Sequence, residues 1–142
     1  MSRFEKLNDD LYKLAFELAR DQDFCKLIHY AEKRPLDMPE VNGIRHVLNK
    51  RLLLFTPRFP RAEETGTYVT IRPTPIRATE GGHYLKSALR FDIYCHRDIR
   101  PILYTDEDGT LKDGDRVMLI MDKIENFMRD NKKIGIGKPE MD

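Results

Sequence analysis

The sequence predicts an α+β domain, a small antiparallel sheet with a long hairpin, packed by an N-terminal helix and a C-terminal helix. Three observations carry that prediction. Apolar residues recur at helical spacing near both ends, at Leu7, Leu11, Leu14 and Leu18 and again at Val117, Ile120, Ile124 and Phe127. Between them, Thr67–Arg77 and Leu85–His96 alternate apolar and polar side chains, the period of half-buried strands. A Gly81-Gly82 pair lies between these two stretches, where positive φ is needed to reverse the chain. With 142 residues, 40% apolar and 35% charged, the chain reads as a single domain, 1–142, able to bury an ordinary core.

The elements follow in order. Residues 1–33 form the N-terminal helical segment, its stripe running Phe4, Leu7, Leu11, Leu14, Ala15, Leu18, Ala19 and resuming at Phe24, Leu27, Ile28 and Ala31. Asp21 either caps a second short helix or lies within one helix running to about Tyr30. Pro35 ends the helical region by removing a donor and pushing Arg34 out of helical geometry. Pro39 is suited to open a short helix through Val41, Ile44, Val47 and Leu48, although Asn42-Gly43 equally marks a loop. The sheet is expected within residues 51–96: a short apolar strand at Arg51–Phe55, stopped by Thr56-Pro57, then the hairpin. Val69 and Ile71 should face the core, and so should Leu89, Phe91, Ile93 and Cys95. Pro73 and Pro75 argue that their strand is an edge or bulges there. Asp106-Glu107-Asp108-Gly109 and Asp113-Gly114 read as a solvated loop, with Asp113 or Asp115 capping the final helix, 113–131. Residues 132–142 are a tail in which Ile134–Pro139 is a short strand or extended chain. Met118 and Leu119 fall off the main stripe of the final helix and widen its apolar face.

The net charge of +1 does not favour a globally basic nucleic-acid binder. The charge is unevenly spread. Residues 34–100 carry +5, and ten of their twelve cations are Arg; residues 101–142 carry −3. Arg makes planar bidentate contacts with carboxylate and phosphate, so the middle of the chain is a candidate polyanion-facing or inter-subunit surface. The candidates are Arg45, Arg51, Arg58, Arg61, Arg72, Arg77 and Arg90. The first residues, Met1–Lys6, have no apolar signal core, and no apolar run approaches the roughly 20 residues of a membrane helix. Two cysteines, Cys25 and Cys95, do not make a disulfide framework and suit core packing.

No motif for catalysis, cofactor or metal survives inspection. Tyr104-x-Asp106-x-Asp108-Gly109-x5-Asp115 has the turn glycine of a calcium loop but lacks its first carboxylate and its final Glu. Gly135-Ile136-Gly137-Lys138 lacks phosphate-loop spacing. Asp92 and His96 share a strand face roughly 13 Å apart, too far for one metal. His29 has Glu32 one helical turn away, which alone is a weak ligand pair. No cofactor is expected, and no enzymatic activity.

The layout resembles the small ring-forming proteins at the head–tail junction of tailed bacteriophages, in particular the tail terminator family and related neck proteins. The resemblance rests on the N-terminal helix, the strand Leu52-Leu53-Leu54-Phe55 ending in Pro57, the strands Tyr68-Val69-Thr70-Ile71 and Ala88–His96, the helix Arg116–Met128 and a Gly-Ile-Gly-Lys tail. It departs from terminators in having only residues 134–142 after the last helix, where they add further strand. The resemblance implies a virion protein of the tail or neck, assembled in the host cytoplasm into a ring, commonly of six copies. Such a ring caps the tail tube and meets a head-completion or connector protein. It surrounds passing DNA, with non-specific contact from the arginines above. Two rival readings make different predictions. A nucleic-acid-binding regulator would bind particular sequences through moderate salt. A small enzyme would use Cys95, His96 or Asp92, with a depressed thiol pKa or a bound metal. A tail-completion or baseplate component is the nearer structural alternative.

Overall fold

A computed structural model describes residues 3–54, 65–76 and 86–130. The α+β class is as expected. Helix α1 (Arg3–Leu18) and helix α2 (Gln22–His29) are separate, because the Asp21 carboxylate accepts from Phe24 N at 3.0 Å and starts a new helix. Pro35 opens a single 3-10 turn, Pro35–Asp37. Pro39 does not open the next helix. Helix α3 (Gly43–His46) begins four residues later, where Asn42 Oδ1 accepts from Arg45 N at 3.2 Å. The Asn-Gly pair is therefore its cap. Gly43 is required by close approach: a Cβ there would lie 1.7 Å from the Ala19 carbonyl oxygen.

Strand β1 (Leu52–Leu54) pairs parallel with β2 (Thr67–Ile76), which pairs antiparallel with β3 (Lys86–Cys95). The sheet is thus mixed: the long hairpin partners are antiparallel as expected, but the short strand joins in the parallel sense. The expected turn at Thr79–His83 lies outside the described residues, as does the tail at 132–142. Of the solvated loop expected at Asp106–Gly109 and Asp113-Gly114, the first part is a turn as expected and the second needs correction. Pro101–Thr105 (β4) and Leu111–Asp115 (β5) form a second antiparallel hairpin around the turn at Asp106–Thr110. Its strand β5 reads Leu-Lys-Asp-Gly-Asp, with no apolar alternation to betray it. Helix α4 (Arg116–Asp130) follows at once, capped by Asp115, whose Oδ1 accepts from Val117 N at 2.9 Å.

Alternation decides which backbone groups face where. Val69 N donates to Arg51 O at 2.7 Å, toward β1, so the hydrogen-bonded pairs with β3 are Tyr68 with Tyr94, Thr70 with Asp92 and Arg72 with Arg90. Pro73 and Pro75 share the phase of Val69. Their missing N–H groups would point away from β3, past the end of β1, where β2 has become an edge. By the same alternation, the backbone N–H and C=O of Leu89, Phe91 and Ile93 point away from β2, and among the described residues no strand pairs with that side of β3.

Helices α1, α2 and α4 lie on one face of the sheet. Leu11, Leu14 and Leu18 of α1, Phe24, Leu27 and Ile28 of α2, and Ile120, Ile124 and Met128 of α4 pack with Leu52, Val69, Ile71 and Leu89, with Phe91 and Ile93 at the margin. Ile102 of β4 joins the same core. Met118 is exposed, whereas Leu119 packs against the core, so the wider apolar face of α4 is partly used within the chain. No helix among the described residues is long and apolar enough to cross a membrane.

Candidate functional surface

The face of the sheet turned away from the helices gathers three of the candidate arginines. Tyr68, Thr70 and Arg72 project from β2, and opposite them stand Tyr94, Asp92 and Arg90 of β3. Arg51 leads into β1 with its guanidinium over the Tyr68 ring, 5.4 Å from the centroid, a favourable cation–π placement. Arg72 and Arg90 are direct cross-strand partners, an arrangement in which like charges repel. Asp92 relieves it. Arg90 Nε donates to Asp92 Oδ1 at 3.0 Å, and Arg72 Nε lies 3.1 Å from Asp92 Oδ2. The second contact is at ion-pair distance but off the hydrogen-bond direction, so neither of its atoms gains a hydrogen bond there. The side chains of Asp92, Arg72 and Arg90 are 13%, 33% and 58% exposed, a gradient from a nearly sealed carboxylate to an open guanidinium. Thr70, fully buried between β1 and β3, has an Oγ1 with no hydrogen-bond partner among the described residues.

The other candidate arginines do not join this face in the described residues. Arg45 lies on α3, in the helical layer, exposed. Arg58, Arg61 and Arg77 lie outside the described residues.

Arg116, absent from the candidate set, is completely buried. Its Nε donates to Ile99 O at 2.8 Å, one terminal nitrogen to Leu27 O and to Tyr30 O at 2.7 Å, and the other to Glu32 O at 3.0 Å. Three of these carbonyls, those of Leu27, Tyr30 and Glu32, end α2 and begin the following loop, where a helix leaves acceptors unpaired and its dipole is negative. Burial pushes the Arg116 guanidinium below its ordinary pKa, but arginine stays charged in proteins. Helix N-termini favour anions, so an Arg opening α4 is locally unfavourable, which is the faint sequence signal that it serves another element.

The residues of an enzymatic reading are not assembled. Cys95 lies on the core-facing phase of β3, with Asp92 on the opposite one, and burial pushes its thiol up. Cys25 is fully buried; burial, with a smaller contribution from Asp21, raises its thiol to about 12, and its Sγ donates to Ala19 O at 3.1 Å. His96 Nδ1 accepts from Asp98 N at 3.1 Å. In the calcium-like stretch, Asp106 accepts from the backbone of Asp108 and Thr110 at 3.0 and 2.9 Å and pairs with Lys112 at 3.0 Å. Its carboxylate is spent on closing the β4–β5 turn, where Gly109 has φ +79°. Among the described residues no three His, Cys, Asp or Glu side chains gather as a metal site.

Residues 21–142 match the protein family described as YomW. No curated protein and no solved structure matches the chain.

Proposed function

The chain belongs to the YomW family, which is phage-derived, and from that premise we propose that it is a structural ring protein of the tailed-phage head–tail junction, a tail terminator or neck component. The observation that carries the reading is the asymmetry of the two sheet edges. On the β2 side, β1 is only three residues long and prolines occupy the outward-facing positions beyond it. Short strands and prolines are the ordinary means of blocking edge pairing. The β3 side is ten residues long, carries no proline and presents the outward backbone groups of Leu89, Phe91 and Ile93. A neighbouring copy can continue the sheet there, and closed symmetry limits that growth to a ring. In this reading the partners are sister copies, the tail tube below and a head-completion or connector protein above. The place of work is the virion.

The test compares two substitutions at one position. Ile93→Pro removes an outward N–H while leaving the Thr70–Asp92 and Tyr68–Tyr94 ladder bonds; Ile93→Ala removes a similar side chain and keeps the N–H. Light scattering after size exclusion, and electron microscopy of the protein alone and mixed with tail tubes, should show rings for the parent chain and for Ile93→Ala, and none for a folded Ile93→Pro. A parent chain that stays monomeric at high concentration and also ignores tail tubes overturns the reading.

A further inference from the structure

We propose that subunits join head to tail, the outer edge of β3 in one copy pairing with the outer edge of β5, at Leu111 and Asp113, in the next. The inference rests on the ring reading and deepens it by naming the surface that receives β3. A β3 edge that met the β3 edge of a second copy would make an isologous contact, which closes at two subunits; a larger ring needs a second, different edge. Taken edge by edge, the described strands leave one. On β1 the outward groups of Leu52 are used within its own loop: its N–H donates to Val47 O and its carbonyl accepts from Asn49 N, both at 2.9 Å. Beyond β1, the β2 edge carries Pro73 and Pro75. On β4, Leu103 N donates to Lys33 O at 2.8 Å, so a loop of the same chain already lies along that edge. Strand β5 has no proline, its first three residues are all exposed, and among the described residues only β4 pairs with it.

The Leu103 bond also fixes the phase of β5. Because Leu103 N points away from β5, Leu103 and Asp113 stand opposite each other without exchanging hydrogen bonds, and so do Thr105 and Leu111. The N–H and C=O groups of Leu111 and Asp113 therefore point outward, two residues apart. Phe91 and Ile93 offer outward groups at the same spacing on β3, so the two edges can exchange main-chain hydrogen bonds. The side chains agree. Leu111 is 49% exposed, whereas Phe91 and Ile93 are partly buried at the margin of the core. In the strand direction that turns Leu111 toward the helical face, it lies beside Phe91 and Ile93 and takes apolar surface of both out of water. The contact is heterologous, so every copy offers one donor edge and one receiving edge, and the assembly closes when the rotation per copy does.

The experiment blocks each edge of the full chain in turn and then mixes the two blocked chains. Light scattering gives the mass, and circular dichroism with thermal melting checks folding. Asp113→Pro removes one outward N–H and no bond to β4; Asp113→Ala keeps that N–H. Asp113→Pro and Ile93→Pro should each stay at the monomer mass where the parent chain and Asp113→Ala form rings, and neither should cap tail tubes. Mixed in equal amounts at high concentration, the two blocked chains should give a particle of twice the monomer mass and no larger. One chain then supplies a good β3 edge, the other a good β5 edge, and the two edges left over are both blocked. An Asp113→Pro that assembles as the parent does, or that dimerises alone, overturns the head-to-tail pairing and leaves the ring reading standing, as does a mixture that stays monomeric. A parent chain that assembles neither alone nor on tail tubes overturns both. Should Asp113→Pro fail to fold, Leu111→Asp, a change at an exposed side chain, must still raise the concentration needed for assembly several-fold while Leu111→Met leaves it unchanged; equal behaviour of the two overturns the pairing.

Discussion

Arg116 and the Arg72–Arg90 pair are the same side chain in two different situations. Arg116 is fully buried, and its guanidinium is used on four carbonyl oxygens at the end of α2 and in the chain around it. Among the described residues its hydrogen bonds reach no carboxylate; the acceptors are main-chain groups, three of them left unpaired where α2 ends. On the other side of the sheet, Arg72 and Arg90 share one Asp and remain partly open to solvent. Among the described residues, the buried Arg116 on the helical side therefore spends its positive charge on holding the fold, whereas on the outer side two guanidiniums share one carboxylate. Arginine content alone does not separate these roles. The satisfaction of each N–H does.

The largest expected effect breaks the first half of that comparison. Arg116→Met strips the donors from buried carbonyls and should cost about 3–5 kcal/mol in urea unfolding, as loss of one side of a buried polar network does. Arg116→Lys should recover only part of that loss, because one ammonium cannot reach acceptors spread over Ile99, Leu27, Tyr30 and Glu32. Arg90→Met, whose guanidinium is the exposed one, should change stability by less than about 1 kcal/mol, the range of exposed ion pairs. Equal losses at Arg116 and Arg90 would dissolve the distinction.

Gly43→Ala comes next. Its Cβ would meet the Ala19 carbonyl oxygen at 1.7 Å, a backbone atom that yields only if α1 and α3 separate. The expected destabilisation is about 1–3 kcal/mol, typical of overpacking, read from the same denaturant curves. Below it stands Asp115, the residue before Arg116, which pairs not with that neighbour but with Arg100, accepting from Nε at 2.9 Å and from a terminal nitrogen at 2.8 Å. The Arg100 hydrogen bond is the main cause that holds the Asp115 carboxyl below its ordinary 3.8. A depressed carboxylate contributes above its unfolded pKa, and that contribution is lost as pH falls from 3.8 through the lower folded value. Asp115→Ala should flatten that part of the acid limb and, by removing the α4 cap, cost about 1 kcal/mol at neutral pH.

Much of the architecture was legible because it is periodic. The α1 and α4 stripes and the core phase of β2 and β3 follow from spacing, whereas the Asp21 and Asp115 caps were each one of two readings that spacing left open and the hydrogen bonds to Phe24 N and Val117 N decide. The β4–β5 hairpin was not, since Leu-Lys-Asp-Gly-Asp carries no alternation, and its pairing depends on the Asp106 turn and on Ile102 reaching the core. The outer-face arginines were visible as a compositional excess, and Arg72 and Arg90 could be placed on one face by strand phase. Their meeting on Asp92 needed the register. Arg116 was invisible for a physical reason: its partners are main-chain carbonyls far back in the chain, and main-chain groups leave no trace in residue identity.

The smallest effect tests whether the two regions sense each other. His29 ends α2, close to the carbonyls that hold Arg116, with its ring 4.9 Å from Tyr30 and 5.7 Å from His46. Its Nδ1 is buried with no hydrogen-bond partner among the described residues. Burial is the main cause that lowers its pKa from 6.5; Arg51 and His46 add to that, and Glu32 opposes it. The folded state thus resists protonating His29 more than the unfolded chain does. Its contribution is complete above 6.5 and is lost as pH falls from there toward the folded value, below which no further loss occurs. Arg51→Gln should move the His29 midpoint part of the way back toward 6.5 in an NMR titration, because burial remains. Arg72→Gln, farther along the sheet, should leave it in place. If Arg51→Gln does not move His29, the outer-face charge ends at the sheet and the helical layer is electrostatically its own compartment. If it does, the two faces are coupled through a single guanidinium, the one that lies over the Tyr68 ring and lowers the His29 pKa.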